Sequence, residues 1–119
     1  MSAFRLLFVR EPLTRSILVA IGVEGFGDMI KAVVDVQRAI MVVGAELHAD
    51  EEAALLDDGS RQTDLRGINL YPNEMADEWI EFDSMINVRP SRANRSRGVD
   101  DEAIRRTIRD VVEALVRAT

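Results

Sequence analysis

Apolar and polar positions alternate between short extended runs and helical stripes along the chain. Phe4 to Arg10 is a short apolar run that soon meets Pro12, which suits a strand leaving a sheet. Behind Thr14, whose hydroxyl can cap a helix, Ile17, Leu18 and Ile21 fall at helical spacing, with Gly22 and Gly25 as stop signals. Met29 to Asp50 fits two patterns. Ile30, Val33 and Val34 mark one helix face, with Lys31 and Asp35 four residues apart. Against this, β-branched Ile30, Val33, Val34, Val36, Ile40, Val42 and Val43 dominate, and Gln37-Arg38 is a short connection. A hairpin is therefore preferred over a helix across residues 29–41. Its second arm, Ile40 to Asp50, would place Glu46, His48 and Asp50 on one side and Ala45, Leu47 and Ala49 on the other.

Asp50 is expected to cap a short helix carrying Glu51 and Glu52 in its first turn and stopping at Asp58-Gly59. Arg61 to Arg66 reads as a polar loop, and Gly67 to Tyr71 as a strand closed by Pro72-Asn73. From Trp79 to Arg89, Ile80, Phe82, Ser84, Ile86 and Val88 alternate with Trp79, Glu81, Asp83, Met85, Asn87 and Arg89, which predicts a long strand with one apolar face. Pro90 to Gly98 must be a loop. Asp100 is then expected to cap the last helix, whose stripe is Ile104, Ile108, Val111, Val112 and Leu115. The order β-α-β-β-α-β-β-α implies an α+β fold, a mainly antiparallel sheet with helices packed on one face.

At 119 residues the chain suits a single globular domain, residues 1–119, around one core, and 47% hydrophobic with 30% charged residues argues against disorder. Absence of cysteine excludes thiolate chemistry, and a single histidine excludes any site needing two imidazoles from one chain. The longest apolar run, Ala39 to Ala45, is too short to span a membrane, and the N-terminal segment lacks the shape of a secretory signal, so a cytoplasmic location is expected. Asn94-Arg95-Ser96 matches a glycosylation acceptor in letters, which has no meaning there. A net charge of −6 disfavours nucleic acid and anionic membranes as partners. Lys31 is the one lysine, while Arg89, Arg92, Arg95 and Arg97 crowd a single stretch.

Two constellations carry candidate chemistry. If both strands form as read, Glu46, His48 and Asp50 share one face and Glu81 and Asp83 share another, close enough to meet across paired strands. Like charges that close would raise one carboxyl's pKa, recruit a cation, or be screened by water. The first outcome makes Glu46, His48, Glu81 and Asp83 candidate acid–base groups. The second makes Glu46, His48, Asp50 and Asp83 candidate ligands for a divalent metal such as manganese, iron or zinc. The third is what an acidic sheet face open to solvent produces without any function. The other constellation is the arginine loop, where Arg89, Asn94 and Arg95 could hold a phosphate or carboxylate, or be tied down by neighbouring acids. The glycines of Gly22 to Gly27 lack nucleotide-binding spacing, and neither Ser84 nor Ser96 sits in a nucleophile motif.

The runs Gly27 to Asp35, Gly44-Ala45-Glu46-Leu47-His48-Ala49-Asp50, Gly67-Ile68-Asn69-Leu70-Tyr71-Pro72 and Ile86-Asn87-Val88-Arg89-Pro90 through Asn94-Arg95-Ser96 resemble a bacterial domain-of-unknown-function family, family 5674. The resemblance runs from about Arg10 to the last helix. Ala45 stands where that family has a second glycine, and Arg66 where it often has tryptophan, a difference that bears on a pocket wall or interface. The family implies no activity. Two readings therefore stand side by side: a domain binding a small anionic ligand or divalent metal on an acidic sheet face, or an interaction module that acts as a homodimer without catalysis.

Overall fold

The computed structural model describes residues 4–118, with residues 76 and 77 described by their backbone alone. Its elements are β1 (Leu7–Val9), β2 (Leu13–Thr14), α1 (Arg15–Glu24), β3 (Ile30–Asp35), β4 (Ile40–Val43), α2 (His48–Asp57), β5 (Leu65–Leu70), β6 (Ile80–Glu81), α3 (Glu102–Leu115) and β7 (Val116–Arg117). Strands β1-β4-β3-β5-β6, in that order, form one antiparallel sheet, and β2 and β7 form a small parallel pair. The fold is α+β with a mainly antiparallel sheet. No helix among the described residues is long and apolar enough to cross a membrane.

Residues 29–41 form the hairpin that their β-branched content favours. Its connection, Val36 to Ala39, is fastened by buried Asp35, whose Oδ1 accepts from the Gln37 and Arg38 amides and whose Oδ2 accepts from Ser60. Thr14 caps α1 through the Ile17 amide, as read from the sequence. The cap of α3 is Asp101, which takes the Ala103 and Ile104 amides. Asp100, one residue earlier, instead accepts from the Arg95 amide and the Ser96 hydroxyl and so fastens the loop before the helix.

The sheet has two covered faces. Ala32, Val34, Met41, Val43 and Ile68 point toward α1 and α3, where they meet Leu18, Ile108, Val112 and Leu115. Val33, Ile40, Val42 and Leu65 point the other way and meet Leu55 of α2, Phe8 and Ile86. The apolar alternation of the strands is therefore double-sided. In this respect the structure differs from the one-sided packing expected: α2 lies on the face opposite α1 and α3, and the core is two apolar clusters separated by the sheet.

Two predicted strands are shorter than expected. The second hairpin arm ends at Val43, because Gly44 turns with φ +94° against Arg5, where a Cβ would overlap the Arg5 carbonyl. Beyond it no β-branched residue occurs before Thr63, and α2 begins at His48, two residues before the expected Asp50 cap. The alternation over Trp79 to Arg89 fails because the segment crosses the sheet: Phe82 packs with the α1/α3 cluster and Ile86 with the α2 cluster. Only Ile80–Glu81 pairs as strand, and Met85–Asn87 forms a 3₁₀ turn capped by Ser84.

Candidate functional site

On the α2 face, the apolar cluster fills one end of the sheet and polar groups fill the other. Lys31 of β3 lies opposite Asn69 of β5, which in turn lies opposite Glu81 of β6. Above them the buried stripe of α2 consists of His48, Glu51 and Leu55, at i, i+3 and i+7, so the helix changes from polar to apolar as it crosses the sheet. His48 Nε2 lies 2.7 Å from the Ile68 carbonyl. That oxygen only accepts, so Nε2 carries the proton and Nδ1 holds the lone pair of the neutral ring.

The third wall is the segment from Ser84 to Ile86, and Gly67 admits it. A Cβ at Gly67 would lie 2.6 Å from Ser84 Cβ and 3.1 Å from Ile86 Cγ1. Asn87 then acts as a substitute strand: its Oδ1 accepts from the Gly67 amide at 2.8 Å and its Nδ2 donates to the Gly67 and Arg97 carbonyls, each at 2.9 Å. Asn94 organises the following loop, donating to the Asn87, Ser96 and Gly98 carbonyls and accepting from the Asp100 amide. These two amides satisfy backbone groups that irregular buried chain would otherwise leave unpaired.

Between these walls lies a cleft of about 210 Å³. Lys31, His48, Ser84 and Arg97 supply its polar groups, and Leu47, Ala49, Met85 and Ile86 its apolar ones. Leu47, the cap of α2, makes no side-chain capping hydrogen bond among the described residues. Arg97 Nε donates to Asp83 Oδ1 at 2.6 Å, so its charge is partly matched. The Lys31 ammonium lies 5.0 Å from the centre of the Phe26 ring, and among the described residues no carboxylate comes within ion-pair distance of it. Lys31 is half-buried.

Burial sets the protonation behaviour here. It holds His48 below its ordinary value, ahead of the Ile68 hydrogen bond, which acts in the opposite sense; the charges of Lys31, Asp83 and Arg97 also reach the ring. Glu51 is wholly buried. Burial pushes its carboxyl well above the ordinary range, although the Ala45 amide donates to Oε2 at 3.0 Å and Lys31 favours the ionised form. Among the described residues its Oε1 has no hydrogen-bond partner, and neither has the buried Asn69 Oδ1.

The residues singled out from the sequence separate. His48 and Asp83 come within electrostatic reach of one another, whereas Glu46, in the bend before α2, and Asp50, on its first turn, are exposed. The shared strand face that would have gathered Glu46, His48 and Asp50 does not exist, because the chain is helical from His48. Among the described residues no three histidine, aspartate or glutamate side chains are grouped so as to hold a metal ion. Glu81 accepts from Asn69 and Tyr71. Arg89 donates to the Ile86 and Gln62 carbonyls and pairs with Glu52 at 3.4 Å, tying the loop to α2. Asn94 is likewise committed within the fold, and Arg95 is exposed. Arg66 is buried on the α1/α3 face, donating to the Thr63 and Leu65 carbonyls, and lies outside the cleft. Sequence reasoning missed Lys31, Glu51 and Asn87. A lone lysine inside a β-branched run was a usable signal, and Gly67 within a strand was another.

The model of the family described as Protein of unknown function (DUF5674) matches residues 7–115, and the chain belongs to that family. No curated protein and no solved structure matches the chain.

Proposed function

We propose that this member of the family binds a small anionic ligand in the cleft between the start of α2, Lys31 of β3 and the 84–97 segment. The observation that supports this reading best is half-buried Lys31, whose ammonium lies over the Phe26 ring and has no carboxylate partner among the described residues. Charge removed from water is stabilised by a countercharge, and a bound anion supplies one. Arg97 adds a forked donor, and the uncapped backbone at Leu47 to Ala49 adds the positive end of a helix. Neutral His48 would accept a proton at Nδ1 or hydrogen-bond an acidic ligand there, which leaves room for acid–base chemistry with Asp83 close by. The divalent-metal reading has no such support.

The test is a set of amide nitrogen-15 spectra titrated with acetate and with phosphate at constant ionic strength. Saturable shifts centred on Leu47 to Ala49 and Ser84 to Ile86, and lost in Lys31→Met, are expected. Shifts scattered over the surface, or unchanged by the substitution, would refute the cleft.

A second reading has one observation in its favour. Strand β1 is an outer strand of the sheet, and Leu7 on it and Leu6 just before it are exposed. Pairing of two copies along β1 would cover that edge and give a homodimer. Sedimentation across a hundredfold concentration range would reveal it, and a constant monomer mass would dismiss it.

A further inference from the structure

We infer that the cleft's ligand is a monocarboxylate with a short apolar tail, rather than a phosphate or a multiply charged acid. This inference rests on the anion-binding reading above and adds the ligand's charge and shape. Part of the cleft's positive charge is already matched. Arg97 is held by Asp83 at 2.6 Å, which leaves Lys31, whose ammonium lies over the Phe26 ring, as the cationic residue of the cleft without a carboxylate partner among the described residues. A second negative charge on the ligand would be repelled by Asp83, which is bound to the cleft's Arg97, without a second free cation to meet it. One negative charge is thus the complement of this site, and a carboxylate supplies it in a planar form that a guanidinium and an ammonium can share.

The rim of the cleft is apolar. Leu47 is 51% exposed and Met85 63% exposed, with Ile86 half-buried between the rim and the apolar cluster beneath α2. Both exposed side chains line the cleft with the cation. An apolar tail lying on them would remove this surface from water, and an unbranched thioether adapts to tails of differing shape. At about 210 Å³ the cleft lies below the roughly 300–1,000 Å³ of pockets for drug-sized molecules, which limits the tail to a few carbons.

Calorimetric titrations at constant ionic strength with acetate, butanoate, hexanoate, hexanamide and inorganic phosphate separate the possibilities. Affinity is expected to rise by up to about fourfold per methylene along the carboxylate series, as expected for burial of each group. Hexanamide should bind at least tenfold more weakly than hexanoate, and so should phosphate. Lys31→Met should weaken every carboxylate at least tenfold while Lys31→Arg restores most of the loss. Met85→Ser, at an exposed position, should flatten the chain-length series. Phosphate binding more tightly than hexanoate, with the same dependence on Lys31, would overturn the monocarboxylate and leave the anion cleft standing. Equal binding of hexanoate and acetate, or hexanamide equal to hexanoate, would also overturn it. Failure of every anion to bind in folded protein would overturn both.

Discussion

The two faces of the sheet are built from the same strands and hold different kinds of interior. Beneath α1 and α3 the interior is apolar apart from Arg66, which donates to the Thr63 and Leu65 carbonyls, and Leu18, Ile108 and Val112 are wholly buried. Beneath α2 the interior is apolar only at the Leu55 end, while the His48 end carries a lysine, a buried carboxyl, an imidazole and side-chain amides. Apolar packing on the first face is the main source of burial, whereas the polar end of the second must satisfy each hydrogen-bonding group individually. That division places the costly groups where a ligand can reach them.

The largest expected effect comes from the apolar face. Ile108→Ala should lower stability by about 2–5 kcal/mol in urea unfolding, the range for a large side chain removed from a close-packed core. A cost no larger than that of an exposed substitution would break the contrast between the faces. Next comes the polar end of the α2 face. Asn87→Ala leaves the Gly67 amide and two carbonyls without their partner, at about 1–3 kcal/mol. Gly67→Ala forces Ser84 and Ile86 away from the sheet, at a similar cost of about 1–3 kcal/mol. Both should disturb the amide spectra of residues 84–97 while leaving α1 unchanged.

The two titrating groups give opposite pH slopes. Burial favours neutral Glu51 in the fold, so above pH 4.5, its ordinary value, the unfolded chain releases a proton the folded chain retains, and stability falls as pH rises. Glu51→Gln should remove that fall. Burial also favours neutral His48, so below pH 6.5, its ordinary value, the unfolded chain binds the extra proton and stability falls as pH drops. His48→Asn should flatten that acid limb. Urea midpoints collected from pH 4 to 8 on the three proteins test both signs, and a limb unchanged by its substitution would show that the group does not titrate with folding. The smallest effect belongs to exposed residues: Glu46→Ala and Arg95→Ala should each change stability by less than about 0.5 kcal/mol and leave the acetate-induced shifts intact.

The hairpin and the two flanking helices were legible because their signals are local: β-branched runs on either side of Gln37-Arg38, a hydroxyl cap at Thr14, and the stripe from Ile108 to Leu115. The site was legible only in part. His48 was singled out on a strand and sits on a helix, because Gly44 ends the strand through a contact with Arg5 that is distant in sequence. The Trp79 to Arg89 alternation misled because a period of two assumes one sheet face, and Phe82 and Ile86 serve different faces. Asn87 and Asn94 give no signal in a single sequence, since their value lies in which carbonyls the folded loop presents to them.

Lys31 is the chain's one lysine, so its ε-methylene group gives a single resolved carbon–proton signal from a residue that lines the proposed cleft. Following that signal during addition of sodium hexanoate at constant ionic strength tests the account most directly. A saturable shift of the Lys31 signal, accompanied by shifts at Leu47 and Met85, is the result the account predicts. A signal that follows only the linear drift seen with hexanamide would contradict it.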